Sequence, residues 1–164
     1  MPKLHEIIAE AQAIRRAMDL SDKKGIPLMH DDFPITHCKT ASLLLVYHAL
    51  EKWPFSTLYG VSGIATDHYG NETISHYWIE FDGLAIDITA DQYNIIEDRY
   101  LNKKIIDSRP FQPVSIGRVG TLPSYEIFEN LQRDTYTLGL TELAEDFLED
   151  LCDSYAALRL SPIS

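Results

Sequence analysis

Leu4, Ile7, Ile8, Ala11, Ile14 and Met18 recur at intervals of three and four, which predicts an amphipathic helix over residues 3–20. Lys23, Lys24, Gly25 and Pro27 end it, and a loop, LMHDDFPIT, follows. The next stretch, CKTASLLLVYHALEKW, is apolar nearly all round and stops before Pro54, the pattern of a helix buried on most sides. The period then changes. TLYGVSGIA (57–65) and TISHYWIEF (73–81) are rich in β-branched and aromatic residues and predict strands, with Asp67, Gly70, Asn71 and Glu72 forming the loop between them. Asp82-Gly83 separates HYWIEF from LAIDIT and predicts a two-residue hairpin. Past Thr89 the pattern weakens, with short strands expected near Lys104–Ile106 and Val114–Ile116. The chain then closes helically: Ser124 and Thr141 are candidate N-caps, and Leu143, Phe147, Leu151, Tyr155 and Leu158 mark one face of the last helix. The order helix, helix, antiparallel strands, helices predicts an α+β fold, with residues 1–164 forming one domain.

Composition narrows the function classes. A chain of 164 residues with 45% apolar and 24% charged side chains has enough apolar material for a core. Lys and Arg number 14 against 25 Asp and Glu, a net charge of −11 that argues against nucleic acid or an anionic membrane as partner. Apolar runs such as Ala41–Val46 fall far short of the roughly 20 residues needed to cross a bilayer. The opening MPKLHEIIAEAQAIRRAMDL lacks the continuous apolar core of a signal peptide, and Cys38 and Cys152 are too few for a disulfide framework. A cytoplasmic protein is expected, with signal-independent export as an effector left open.

Candidate chemistry centres on a cysteine, a histidine and an aspartate. With Thr36 as N-cap, Cys38 falls in the first turn of the buried helix, where free backbone N–H groups favour a thiolate and an oxyanion. The alternative is a small buried hydrophobe, as most free cysteines are. In the Asp82-Gly83 hairpin, Phe81 faces Leu84, Trp78 faces Asp87 and His76 faces Thr89, so His76 and Asp87 are diagonal neighbours on one face. Asp87 bound to Nδ1–H would orient the ring and leave Nε2 for the cysteine. The competing reading turns both residues to solvent. Trp78, on the face opposite Tyr77, and Gln92 and Tyr93, just past the aspartate strand, are the expected substrate-binding residues. His30, Asp31, Asp32, His37 and Cys38 lack a recognised ligand spacing, so no metal and no cofactor is expected. His48 reads as a core or surface residue and Cys152 as a packing residue.

Taken in order, these segments resemble the transglutaminase-like branch of the papain-type cysteine enzymes. The matching pieces are Cys38-Lys39-Thr40-Ala41-Ser42-Leu43-Leu44, Gly60-Val61-Ser62-Gly63, His76-Tyr77-Trp78-Ile79-Glu80 and Asp87-Ile88-Thr89, within residues 33–93. The resemblance implies a papain-like core, with the cysteine helix packed on an antiparallel sheet and flanked by N- and C-terminal helices. It also implies a triad of Cys38, His76 and Asp87. The activity it implies is acyl transfer at amide bonds through a Cys38 thioester, as a cysteine peptidase or protein glutamine deamidase. The alternatives are a leader peptidase for a modified peptide precursor and a catalytically silent protein-binding module. The expected partner is a protein or peptide substrate, with a separate recognition partner in the leader-peptidase case. Three departures stand out: Thr36 occupies a position where the family often has glycine, the His76-to-Asp87 spacing of 11 is shorter than is usual, and the loop LMHDDFPITH offers no Gln or Asn as an oxyanion side chain.

Overall fold

A computed structural model describes residues 2–160. Two helices come first, α1 (Leu4–Leu20) and α2 (Cys38–Lys52). Strands β1 (Leu58–Thr66), β2 (Thr73–Phe81) and β3 (Leu84–Asp87) follow. The second half interleaves short elements: α3 (Gln92–Ile95), α4 (Lys103–Asp107), β4 (Ser115–Arg118), α5 (Pro123–Ile127), β5 (Glu129–Tyr136) and α6 (Glu145–Ala157). All strand pairs are antiparallel and the sheet runs β4-β3-β2-β1-β5. The architecture is α+β, as the order of periodicities predicted.

Side-chain alternation divides the sheet into two packed faces. Leu58, Tyr77, Ile79, Phe81 and Ile86 join one core with α2, which lies on β2 between α1 and α6. Val61, Trp78 and Ala85 join a second core closed by Tyr93, Leu101, Ile105, Phe111, Leu122, Ile127 and Phe128 from the short elements. Asp82 and Gly83 both have positive φ (54° and 79°), the backbone a two-residue hairpin needs to match strand twist. This turn fixes Phe81 opposite Leu84 and Ile79 opposite Ile86, the register expected from the sequence.

Local expectations were corrected at several points. Residues Lys104–Ile106 belong to α4 and not to a strand, because the Asn102 side chain accepts the Ile105 N–H and caps a helical turn. The strand expected near Val114–Ile116 is β4, displaced by a residue or two. Thr36 is not the cap of α2: its φ is 66°, and His37 holds the N-cap position, which makes Cys38 the first helical residue. Neither Ser124 nor Thr141 is an N-cap; those positions fall to Leu122 for α5 and Ala144 for α6. Strand β5 had no counterpart in the periodicity. Its side chains are exposed at most positions, so the edge strand carries almost no apolar alternation.

Candidate active site

Strand β3 ends at Asp87 while β2 continues back to Thr73, so β2 lacks a strand neighbour on that side below Ile79. The first turns of α2 cover part of this open edge, where Ser42 Oγ donates to the Tyr77 carbonyl at 3.4 Å. Tyr93 covers another part by donating its hydroxyl to the Ser75 carbonyl at 3.3 Å. Cys38 packs with the core on the α2 side, whereas the His76 ring stands with Trp78 on the opposite face. Groups on opposite faces of a sheet can meet only around an edge, and this gap supplies one.

His76 and Asp87 are each 1% exposed. His76 Nε2 donates to Asp87 Oδ2 at 2.7 Å, the diagonal pairing expected from the hairpin. The ring is turned the other way from the expectation, however: Nε2 meets the carboxylate, and Nδ1 is left without a partner of ordinary hydrogen-bond geometry. The ring points its far nitrogen, Nε2, at the diagonal carboxylate and turns Nδ1, the nitrogen nearer the backbone, away from it. The Asp87 carboxylate is held from two further sides. Ser124 Oγ donates to Oδ2 at 2.8 Å, and the Thr89 N–H donates to Oδ1 at 3.2 Å.

The electrostatics agree with an ion pair. Burial disfavours a charged imidazole, but the Asp87 charge and hydrogen bond, joined by smaller contributions from Cys38, push His76 up to about 10. Burial would likewise raise Asp87, yet the His76 charge and the bonds from His76, Ser124 and Thr89 hold it below the usual carboxylate range. Tyr93 is also raised, by burial first and then by the charges of Cys38 and Asp87. Both rings therefore sense Cys38. Cys38 is partly exposed, whereas His76 and Asp87 are sealed from water. As the first residue of α2, Cys38 also carries a backbone N–H with no acceptor inside the helix.

Aromatic rings wall the imidazole on three sides. Phe128, Tyr93 and Trp78 have ring centroids 5.2, 5.3 and 5.7 Å from that of His76. Phe128 reaches this position because β1 has glycine directly opposite His76. A Cβ at Gly63 would lie 2.7 Å from Phe128 Cβ and 2.8 Å from Leu131 Cδ2. Gly60 does the same on the other face, where a Cβ would fall 1.8 Å from the Tyr77 hydroxyl oxygen. The glycines of the segment GVSG thus accommodate one ring on each side of the sheet.

Trp78, Gln92 and Tyr93, expected to bind substrate, are all buried and stand behind the His76–Asp87 pair instead of on an open surface. Gln92 Nε2 donates to the Thr89 carbonyl at 3.1 Å, bracing the turn after Asp87. Glu80, the last residue of the matched H-x-W-x-E segment, is bound by Arg133 at 2.7 and 2.9 Å and by the Tyr125 hydroxyl at 2.6 Å. His37 has both ring nitrogens engaged, with Nε2 accepting the His30 N–H at 2.9 Å and Nδ1 donating to the Ile35 carbonyl at 2.7 Å. His48 lies between the Tyr155 hydroxyl and Glu10, at 2.6 and 3.0 Å.

Two contributors escaped the sequence reading. Ser124, a candidate helix cap by its sequence, instead donates to Asp87 across a separation of 37 residues. Arg15, buried on α1, binds Asp91 through two bonds of 2.8 and 2.7 Å and also donates to the Ile88 and Pro113 carbonyls. It clamps the segment leaving Asp87 onto the helical layer. An arginine on the apolar face of a helix was the signal for it.

No protein-family model, curated protein or solved structure matches the chain. No helix among the described residues is long and apolar enough to cross a membrane.

Proposed function

We propose that this protein is a papain-like, transglutaminase-like cysteine enzyme that transfers acyl groups from amide bonds, acting as a cysteine peptidase or a protein glutamine deamidase. What carries this reading is the buried His76–Asp87 pair beside a partly exposed cysteine at a helix N-terminus. An imidazole so enclosed by aromatic rings would cost stability unless its charge had a use or a partner. Asp87 supplies the partner and Cys38 the use.

In the reaction, Cys38 Sγ is a thiolate whose proton rests on His76 Nδ1, and it attacks the amide carbon. A C–S bond forms as the carbonyl π-pair moves to oxygen, and the Cys38 N–H donates to that oxygen. The oxyanion collapses, the C–N bond breaks, and His76 gives its proton to the leaving nitrogen. Water, losing a proton to His76 Nδ1, then attacks the thioester carbon. The C–S bond breaks and the thiolate leaves beside the imidazolium, which restores the starting pair. Ammonia leaves if the substrate is a glutamine side chain, and an amine leaves if it is a peptide bond. Asp87 holds the ring oriented throughout and stabilises its charged form.

Alkylation by iodoacetamide at about pH 6 tests the activated thiol, since reactivity there requires thiolate character. Cys38 should react much faster than Cys152, and His76→Ala should abolish the difference. Equal sluggishness of both thiols would instead identify a silent binding module. Incubation with cell lysate, followed by mass spectrometry of wild type and Cys38→Ala, then separates a glutamine-to-glutamate shift from peptide cleavage. Neither product from wild type would overturn the enzyme.

A further inference from the structure

We propose that Ser124 is a positioning residue of this site, fixing the Asp87 carboxylate that orients His76. The inference rests on the acyl-transfer reading of Cys38 and His76. Asp87 Oδ2 receives two bonds, 2.7 Å from His76 Nε2 and 2.8 Å from Ser124 Oγ, while Oδ1 receives the Thr89 N–H at 3.2 Å. A carboxylate on a short side chain can rotate, and the three donors together leave one orientation that satisfies all of them. Ser124 is the only side chain among these partners that comes from outside the β2–β3 hairpin and the turn after it. It is 3% exposed and belongs to α5, which links the strands at the two edges of the sheet, β4 and β5.

Its chemistry suits the task. A neutral hydroxyl donates to the carboxylate without contributing a charge, so it strengthens the anionic form without competing with the imidazolium as counter-ion. The bond acts with the others to keep Asp87 ionised and hence His76 protonated. Without the hydroxyl, Oδ2 loses one of its two donors and the carboxylate can swing about χ2, taking Nε2 with it. The imidazole then no longer holds Nδ1 toward the sulfur.

The test compares wild type, Ser124→Ala and Ser124→Thr in the full chain. One measurement is Cys38 alkylation by iodoacetamide as a function of pH, with Cys152 as internal reference. The other is NMR titration of the His76 ring. Ser124→Ala should lower the Cys38 rate at about pH 6 by about tenfold, the scale of one hydrogen bond to a charged group. It should also shift the acid limb of the profile upward and lower the pH at which the ring loses its proton. Ser124→Thr, which keeps the hydroxyl, should restore the rate and both midpoints. A purely structural role for Ser124 predicts a lower melting temperature with both pH midpoints unmoved, and that result overturns the proposal. Should Ser124→Ala not fold, the threonine variant decides alone: wild-type midpoints support the assignment, and midpoints displaced despite the retained hydroxyl overturn it. Failure of the enzyme reading looks different, since wild-type Cys38 would then react no faster than Cys152.

Discussion

On one face of the sheet, the 15-residue α2 packs on β2 and is flanked by α1 and α6, of 17 and 13 residues, in one core with Leu58, Tyr77, Ile79 and Ile86. The other face is closed by helices of only four and five residues. These short elements surround groups that are costly to bury: His76, Glu80, Asp87, Gln92 and Ser124. The first face is stabilised mainly by area removed from water, a non-directional effect that tolerates small shifts of a helix. The second depends on directional bonds, each of which leaves a buried polar group stranded if its partner is lost. The helical face is therefore where the chain gains much of its stability, and the short-element face is where that stability is put to use in holding a charged pair.

The largest way to separate the two faces is Asp87→Asn. It keeps the shape but removes the charge that opposes the burial of His76, and Cys38 alkylation should fall by about a thousandfold or more, by analogy with removal of a triad carboxylate. A fall of less than tenfold would mean that the carboxylate does not govern the thiol.

The two glycines of β1 give a closer comparison. Gly60→Ala pushes against the Tyr77 phenol on the helical face, and Gly63→Ala pushes against Phe128 over the imidazole. Each should destabilise the fold by about 1–3 kcal/mol in urea titrations, the usual cost of overpacking. Only Gly63→Ala should also depress Cys38 alkylation, because only its clash reaches the ring. Equal loss of reactivity in both variants would show that the faces are not functionally distinct.

The gentlest effect is the pH dependence of stability. His76 is raised from 6.5 to about 10 in the folded chain, so its contribution is complete below pH 6.5 and is lost as pH rises through about 10. Asp87 is lowered from 3.8, so its contribution is present above 3.8 and is lost as pH falls through the depressed value. The stability advantage of wild type over a His76→Gln/Asp87→Asn variant should be greatest between about pH 4 and 6.5 and should shrink on both sides. An advantage that does not change between pH 6 and 10 would mean that the ring is not charged in the folded protein.

Much of the helical face was readable from spacing. The i, i+3, i+4 pattern of Ile7, Ala11, Ile14 and Met18 placed α1, and the continuous apolarity of residues 41–46 marked α2 as the buried centre. The hairpin was equally legible, since Asp82-Gly83 names its own turn and period-two alternation then sets which residues share a face. That was enough to bring His76 and Asp87 together. It was not enough to give the ring nitrogen, because Nε2 against Nδ1 depends on how far the diagonal carboxylate lies from Cβ. Strand β5 was invisible because an edge strand exposed on both faces needs no apolar alternation, and its place beside β1 comes from backbone pairing.

By itself the sequence determined where the three long helices and the hairpin would lie, and which two polar residues would meet across neighbouring strands. Each of these follows from interactions between residues close along the chain. The tertiary structure alone decided that β3 stops early enough to leave an open edge on β2, that α2 begins beside it, and that Ser124 and Arg15 reach the segment around Asp87. Those contacts join residues far apart along the chain, and no periodicity records them. They exist only once burial has folded both faces of the sheet and brought these donors and acceptors together.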